Sequence, residues 1–207
     1  MRNTLVQEVV MHVRRLAAPA AVLLAATLVA APAATADQVV NDHYAFTDSH
    51  IEQEEHGDDF CGGTVEFPVR YDLSVEGFFH GMRRGDGLVY FADTFRVVES
   101  YTNVLDGASL THLRVGRRAD ISIVDNGDGT LTITSRFTGR THVIGPDGDV
   151  LFRDVGQVQE SIIVAHGGTL DNPDDDVFVE YLGESKRVGR WDTEGRDFCT
   201  DVVELLG

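Results

Sequence analysis

Residues 65–80 read VEFPVRYDLSVEGFFH, and the apolar positions Val65, Phe67, Val69, Tyr71, Leu73, Val75 and Phe79 alternate with Glu66, Arg70, Asp72, Ser74, Glu76 and His80. A period of two places successive side chains on opposite faces of a strand, so one face of this segment is buried and the other is wet. Pro68 has no amide hydrogen to give to a ladder, which marks the strand as an edge or places a bulge there. The turn Arg83-Arg84-Gly85-Asp86-Gly87 leads to a second strand, Leu88 to Tyr101, and Asn103-Val104-Leu105-Asp106-Gly107 ends it.

Downstream, the pattern predicts strands at 110–115, 119–124, 131–137, 141–144, 150–155, 158–165 and 177–182. Between them, Asn126-Gly127-Asp128-Gly129, Thr138-Gly139-Arg140 and Pro146-Asp147-Gly148-Asp149 supply residues that tolerate the positive φ of hairpin turns. Such connections are too short for crossover helices. The expected fold is therefore all-β, an antiparallel, mostly up-and-down small β-barrel of about 8–10 strands, with a two-layer β-sandwich as the alternative. The tail, Thr200 to Leu206, reads as a final strand or one helical turn.

Upstream, residues 1–36 have the order of a cleavable signal peptide. A basic stretch with Arg2, Arg14 and Arg15 precedes the uncharged run Leu16 to Ala33, whose apolar core is too short to span a bilayer. Ala34-Thr35-Ala36 supplies a small-x-small cleavage site, with cleavage after Ala36. Met11 is an alternative start. The expected organisation is a signal peptide at 1–36, a polar acidic arm at 37–60 and a single disulfide-tied β domain at 61–207. The expected destination is extracellular, with no stable membrane insertion after cleavage.

An oxidising compartment turns a thiol pair into a bridge, and the chain's two cysteines, Cys61 and Cys199, lie near the two ends of that domain. They lack the close CxxC spacing of redox or metal sites. Without the leader the chain carries 14 basic and 33 acidic residues, a formal charge of −19. Phosphate backbones and anionic membrane surfaces attract cationic proteins, so nucleic acid is not an expected partner. Acidity of this degree favours solubility outside the cell.

Chemical motifs are sparse. The sequence has no G-x-S-x-G elbow, HExxH pair, P-loop or G-x-G-x-x-G after a strand, and no catalytic residues are assigned. The run from His50 to Asp59, with His43 upstream, holds enough imidazoles and carboxylates for zinc or copper, yet its spacing reads as a solvated arm. Asp171, Asp174, Asp175 and Asp176 offer oxygens for calcium, but the EF-hand glycine and glutamate are missing. No metal or cofactor is expected. The stronger signal is charge on faces that should be buried: Asp93 and Glu99 share the apolar face of Val89, Phe91, Phe95, Val97 and Tyr101, and Glu160 lies between Val158 and Ile162. Inward carboxylates are candidate ligand anchors or acid-base groups. A register-shifting bulge or a barrel-rim position is the plainer and preferred account of them.

Phe60-Cys61 at the domain start, Thr102-Asn103 with Gly107, Asp128-Gly129-Thr130 in a hairpin and Asp197-Phe198-Cys199 at the end give the chain a particular plan. In that plan, and in its leader, it resembles small secreted β-barrel proteins of unknown function from high-GC Gram-positive bacteria. The resemblance implies an exported bacterial barrel and brings no activity or site residues with it. In outline the barrel is lipocalin-like, although the early G-x-W signature is missing and the sole tryptophan is Trp191. The functions to be weighed are binding of a small apolar or amphipathic ligand, a non-catalytic surface or interaction role with a filled barrel, and an extracellular enzyme using Asp93, Glu99 or Glu160.

Overall fold

The computed structural model describes residues 38–170 and 172–207, and the expected signal peptide lies outside them. Among the described residues, β1 (Gln38–Ile51), β2 (Val69–Arg83), β3 (Val89–Asn103), β4 (Ser109–Asp125), β5 (Thr130–Ile144), β6 (Val150–Ala165) and β7 (Val177–Trp191) form one sheet in sequence order. Every neighbouring pair is antiparallel. Two helices, α1 (Glu52–His56) and α2 (Phe198–Leu206), flank the sheet.

The all-β, up-and-down character is as expected, but the sheet is not closed into a barrel. Among the described residues β1 and β7 are its two edges. Six antiparallel steps leave these edges running in the same direction, so hairpin pairing cannot join them. The strand count also differs from expectation. The segments predicted at 110–115 and 119–124 are one strand, β4; those at 131–137 and 141–144 are β5, and those at 150–155 and 158–165 are β6. Thr138-Gly139-Arg140, expected as a turn, lies in the middle of β5. The polar segment expected to be a loose arm is instead edge strand β1, paired with β2 from Gln38 to Ile51. Its hydrogen bonds come from the backbone, which polar side chains leave free to pair. Pro68 neither bulges nor edges a strand: β2 begins one residue later, and the Pro68 carbonyl accepts from Val104 N at 3.0 Å.

The misread glycines have a common place. Cross-strand register aligns Tyr44, Gly77, Phe95, Gly116, Gly139, Gly156 and Gly189 in one row that crosses all seven strands. At the glycines of this row the neighbouring backbone or rings come too close for a Cβ. A Cβ on Gly139 would sit 2.5 Å from the Val115 carbonyl oxygen, and one on Gly77 would sit 2.8 Å from that of Thr94. Glycine inside a strand marks a bend or a close backbone approach, and here the row curls the sheet along one line. The aromatic rings of Phe137 and Trp191 cover the bare backbone at Gly116 and Gly156.

The principal core lies to one side of this row. Val202 and Leu206 of α2 pack with Val65, Val69, Leu110 and Val143, and Phe152 and Phe198 pack against them. Asp197 caps α2 by accepting from Thr200 N at 2.8 Å, and Asn103 Nδ2 donates to the Leu206 carbonyl at 2.7 Å. The expected Cys61–Cys199 bridge is present, with Cα atoms 5.4 Å apart, and fastens α2 to the segment before β2. A smaller cluster of Leu131, Ile133 and Val164 fills the opposite side. No helix among the described residues is long and apolar enough to cross a membrane.

Two stability tests follow from this packing. Gly139→Ala should lower the unfolding free energy by about 1–3 kcal/mol through overpacking, whereas Gly85→Ala, with open space around it, should leave it nearly unchanged; urea denaturation measures both. Replacing Cys61 and Cys199 by serine should cost up to about 4–5 kcal/mol, the chain-entropy value for a loop of this length, read from the same denaturation curves.

Candidate functional site

Strand alternation gives the sheet two faces, and the face that carries the glycine row also carries the charged residues singled out in the sequence. The pairing of β3 with β2 and β4 is unbroken from Ala92 to Thr102, so Asp93 and Glu99 share this face without any register shift. In β6, Glu160 opposes Ser135 and lies on the same face as Val158 and Ile162. For Asp93 and Glu99 the inward placement therefore comes from unbroken alternation, whereas at Glu160 the pairing with β5 is continuous and the pairing with β7 shifts between Gln159 and Glu160.

Two of the three carboxylates meet in one network. The Tyr44 ring lies across Gly77, where any Cβ would be 2.3 Å from its Oη, and its hydroxyl donates to Asp93 Oδ1 and Oδ2 at 2.9 Å. Asp93 opposes Arg118 directly across β3 and β4. Arg118 then spans β5, and its Nη2 lies 2.8 Å from Glu160 Oε1. Glu160 Oε2 accepts from the Tyr181 hydroxyl at 3.3 Å. A line of side chains thus runs from edge strand β1 to edge strand β7: phenol, carboxylate, guanidinium, carboxylate, phenol. Apolar rings flank it, with Phe79 stacked on Phe91 at 5.1 Å and Phe95 on Phe137 at 6.0 Å.

Burial raises the Asp93 carboxyl above its ordinary range, against the opposing pull of the Tyr44 hydrogen bond, Arg118 and His80. Burial and the Asp93 charge together push the Tyr44 phenol upward, which keeps it a neutral donor. Tyr181 is raised likewise by burial and by Glu160. With both acids ionised the group holds two negative charges and one positive, a net of −1.

Glu99 stands apart, on the other side of the glycine row. It is buried, its Oε2 lies 2.7 Å from Arg114 Nη2, and it opposes His112 in register. His112 is kept neutral by burial, which lowers its pKa, and its ring lies 5.9 Å from that of Phe198 on α2. Glu99 therefore belongs to the wall around the α2 core. The three inward carboxylates do not converge on one point, which an acid-base site built from them requires.

Sequence reading missed Arg118, Arg114, Tyr44 and Tyr181. The signal for the arginines was present, since Leu110, His112, Arg114, Gly116, Arg118 and Asp120 alternate along β4; splitting that strand in two hid it. Nothing in the sequence alone placed Tyr44 near Asp93, 49 residues away.

Other flagged segments have plainer roles. Asp171 lies outside the described residues; Asp175 Oδ2 accepts from Thr169 Oγ1 at 2.5 Å, and Asn172 Oδ1 accepts from Asp174 N. Asp125 to Gly129 is a hairpin turn, as expected, with Asp125 Oδ1 accepting from Gly127 N. His43 lies tilted against Phe78 on the opposite face, with ring centroids 4.5 Å apart. There, an open groove of about 680 Å³ runs over the backs of Gly77 and Gly116, between Phe78 and Thr94 on one bank and Glu76 and Arg96 on the other. Comparison with family models, with curated proteins and with solved structures finds no match to this chain.

The raised Asp93 carboxyl has a consequence for stability. The native state holds this proton to higher pH than the unfolded chain, so its contribution opposes folding as pH rises above about 4, the unfolded aspartate value. Asp93→Asn removes that contribution while keeping an acceptor for Tyr44. Urea midpoints should show the variant gaining on the parent as pH rises through this window, and constant spacing between the two curves would refute the assignment.

Proposed function

We propose that this chain is an exported, non-catalytic binding protein that holds a small amphipathic molecule against the glycine-row face of its sheet. The observation that carries the reading is the Tyr44–Asp93–Arg118–Glu160–Tyr181 line bordered by Phe79, Phe91, Phe95 and Phe137. Ligand sites combine apolar walls with a few placed polar groups that fix orientation. Here the rings take an apolar body, and the acidic line takes its head. A net charge of −1 selects a cationic or hydrogen-bond-donating head over a carboxylate. The partial burial of Arg118 and Glu160, at 22% and 23% side-chain exposure, leaves them reachable yet poorly screened.

The test uses the mature protein with a long-chain alkylamine and the matching fatty acid, followed by native mass spectrometry and titration. The amine should bind saturably and more tightly than the acid. Glu160→Gln should weaken the amine by roughly tenfold, equivalent to about 1.4 kcal/mol. Equal binding of both amphiphiles, or no effect of Glu160→Gln, would sink the reading.

A second reading, a surface or interaction protein, draws on edge strand β7. Val177, Phe178, Val179, Leu182 and Val188 are exposed there, each at 47–63%. An apolar strand edge is a template for pairing with another chain. Concentration-dependent association in sedimentation, abolished by Val179→Lys, would favour that reading over ligand binding.

A further inference from the structure

We infer that His50, Glu52 and His56 form a binding site for a divalent transition cation, with Zn2+ the best fit. The three side chains each present one ligand atom, and these atoms all lie within 4.8 Å of one another. His50 Nε2 and His56 Nε2 lie 3.8 Å and 3.7 Å from the same carboxylate oxygen, Glu52 Oε2. Zinc bound tetrahedrally at about 2.0–2.1 Å sets its ligands roughly 3.3 Å apart, so closure on the ion asks for shifts of well under 1 Å at the Glu52 pairs.

The backbone builds this arrangement from a strand end and one helical turn. His50 closes β1 beside Ile51, and Glu52 opens α1. His56 follows Glu52 at i+4, the spacing that puts two side chains on one helix face. A solvated arm would hold none of this, but β1 is paired with β2 up to Ile51, where His50 opposes Tyr71.

Three features distinguish the group from a chance cluster of polar residues. His50 Nε2 is buried and makes no hydrogen bond, an orphaned acceptor or donor of the kind native structures avoid. Its other nitrogen, Nδ1, lies 3.2 Å from Asp48 Oδ2. A carboxylate on that side holds the proton on Nδ1 and leaves the Nε2 lone pair aimed at Glu52, the arrangement that orients metal-binding histidines. Glu52 is itself buried, with 8% of its side chain exposed, and both imidazoles face its carboxylate. A buried carboxylate is stabilised by a paired cation, and an ion held between Glu52 and the two imidazoles would supply one.

Two histidines and one carboxylate leave a fourth position, and the half-exposed His56 lies on the solvent side of the group, where water can fill it. Sulfur ligands are absent from the group, since both cysteines are bridged, which favours Zn2+ or Cu2+ over softer ions. A bound ion would pin the end of edge strand β1 to α1, a few residues before Cys61.

The experiment is Zn2+ titration by calorimetry on the mature, metal-stripped protein, with Co2+ absorption reporting the coordination. One equivalent should bind. His56→Ala, at a half-exposed position whose loss leaves the core intact, should weaken binding by at least roughly tenfold, as should Asp48→Asn through His50. His43→Ala, outside the group, should bind as the parent does. Absence of saturable binding in the parent, binding undiminished in His56→Ala, or equal loss in His43→Ala would each overturn the assignment.

Discussion

Along one line across the sheet, backbone lies against backbone. Gly77, Gly116, Gly139, Gly156 and Gly189 present no side chain on one face, and the space where their Cβ atoms would be is taken by neighbouring carbonyls and rings. A sheet of strands 14 to 17 residues long twists and must either flatten or bend. The glycine row fixes where this one bends. It also lets long side chains cross strands: Tyr44 reaches Asp93 only because Gly77, between them, has no Cβ. Geometry of the fold and geometry of the candidate binding face thus have the same origin.

The row separates two kinds of buried charge. On one side, Glu99 is buried near the α2 core, where it pairs with the partly exposed Arg114 and serves the packing of the wall. On the other, Asp93, Arg118 and Glu160 lie on a partly open face between aromatic stacks. The difference is cover. Helix α2, held by the disulfide, closes the first side, while on the second the short 3-10 turn Pro173–Asp175 and Leu170 border a small crevice with Phe91, Leu131 and Ile133. On the enclosed side, loss of a partner would leave the Glu99 charge stranded.

Edge strands present unpaired backbone, and among the described residues this sheet has two long ones. β1 is guarded by its own polarity, with Asn41, Asp42, Thr47, Asp48 and Ser49 along it. β7 carries charge in its second half, at Glu184, Lys186, Arg187 and Arg190, while its first half is exposed and apolar. The contrast makes the first half of β7 the part of the sheet most open to another strand.

The sequence by itself determined the strand character, the antiparallel connections and the bridge between Cys61 and Cys199. Those depend on local alternation, on turn residues and on a chain with just two cysteines, all of which a one-dimensional pattern carries. It placed Asp93, Glu99 and Glu160 on the inner face for the same reason. Only the tertiary structure decided that Gly116, Gly139 and Gly156 continue strands, because glycine serves both a turn's positive φ and a strand's close approach, and the neighbouring backbone selects between them. Likewise, polar β1 has no apolar alternation to announce it; it is a strand because β2 offers a ladder. The meeting of Tyr44 with Asp93, of Arg118 with Glu160, and of His50 with Glu52 and His56 depends on register between strands and on one turn of helix after β1, which the local pattern does not encode.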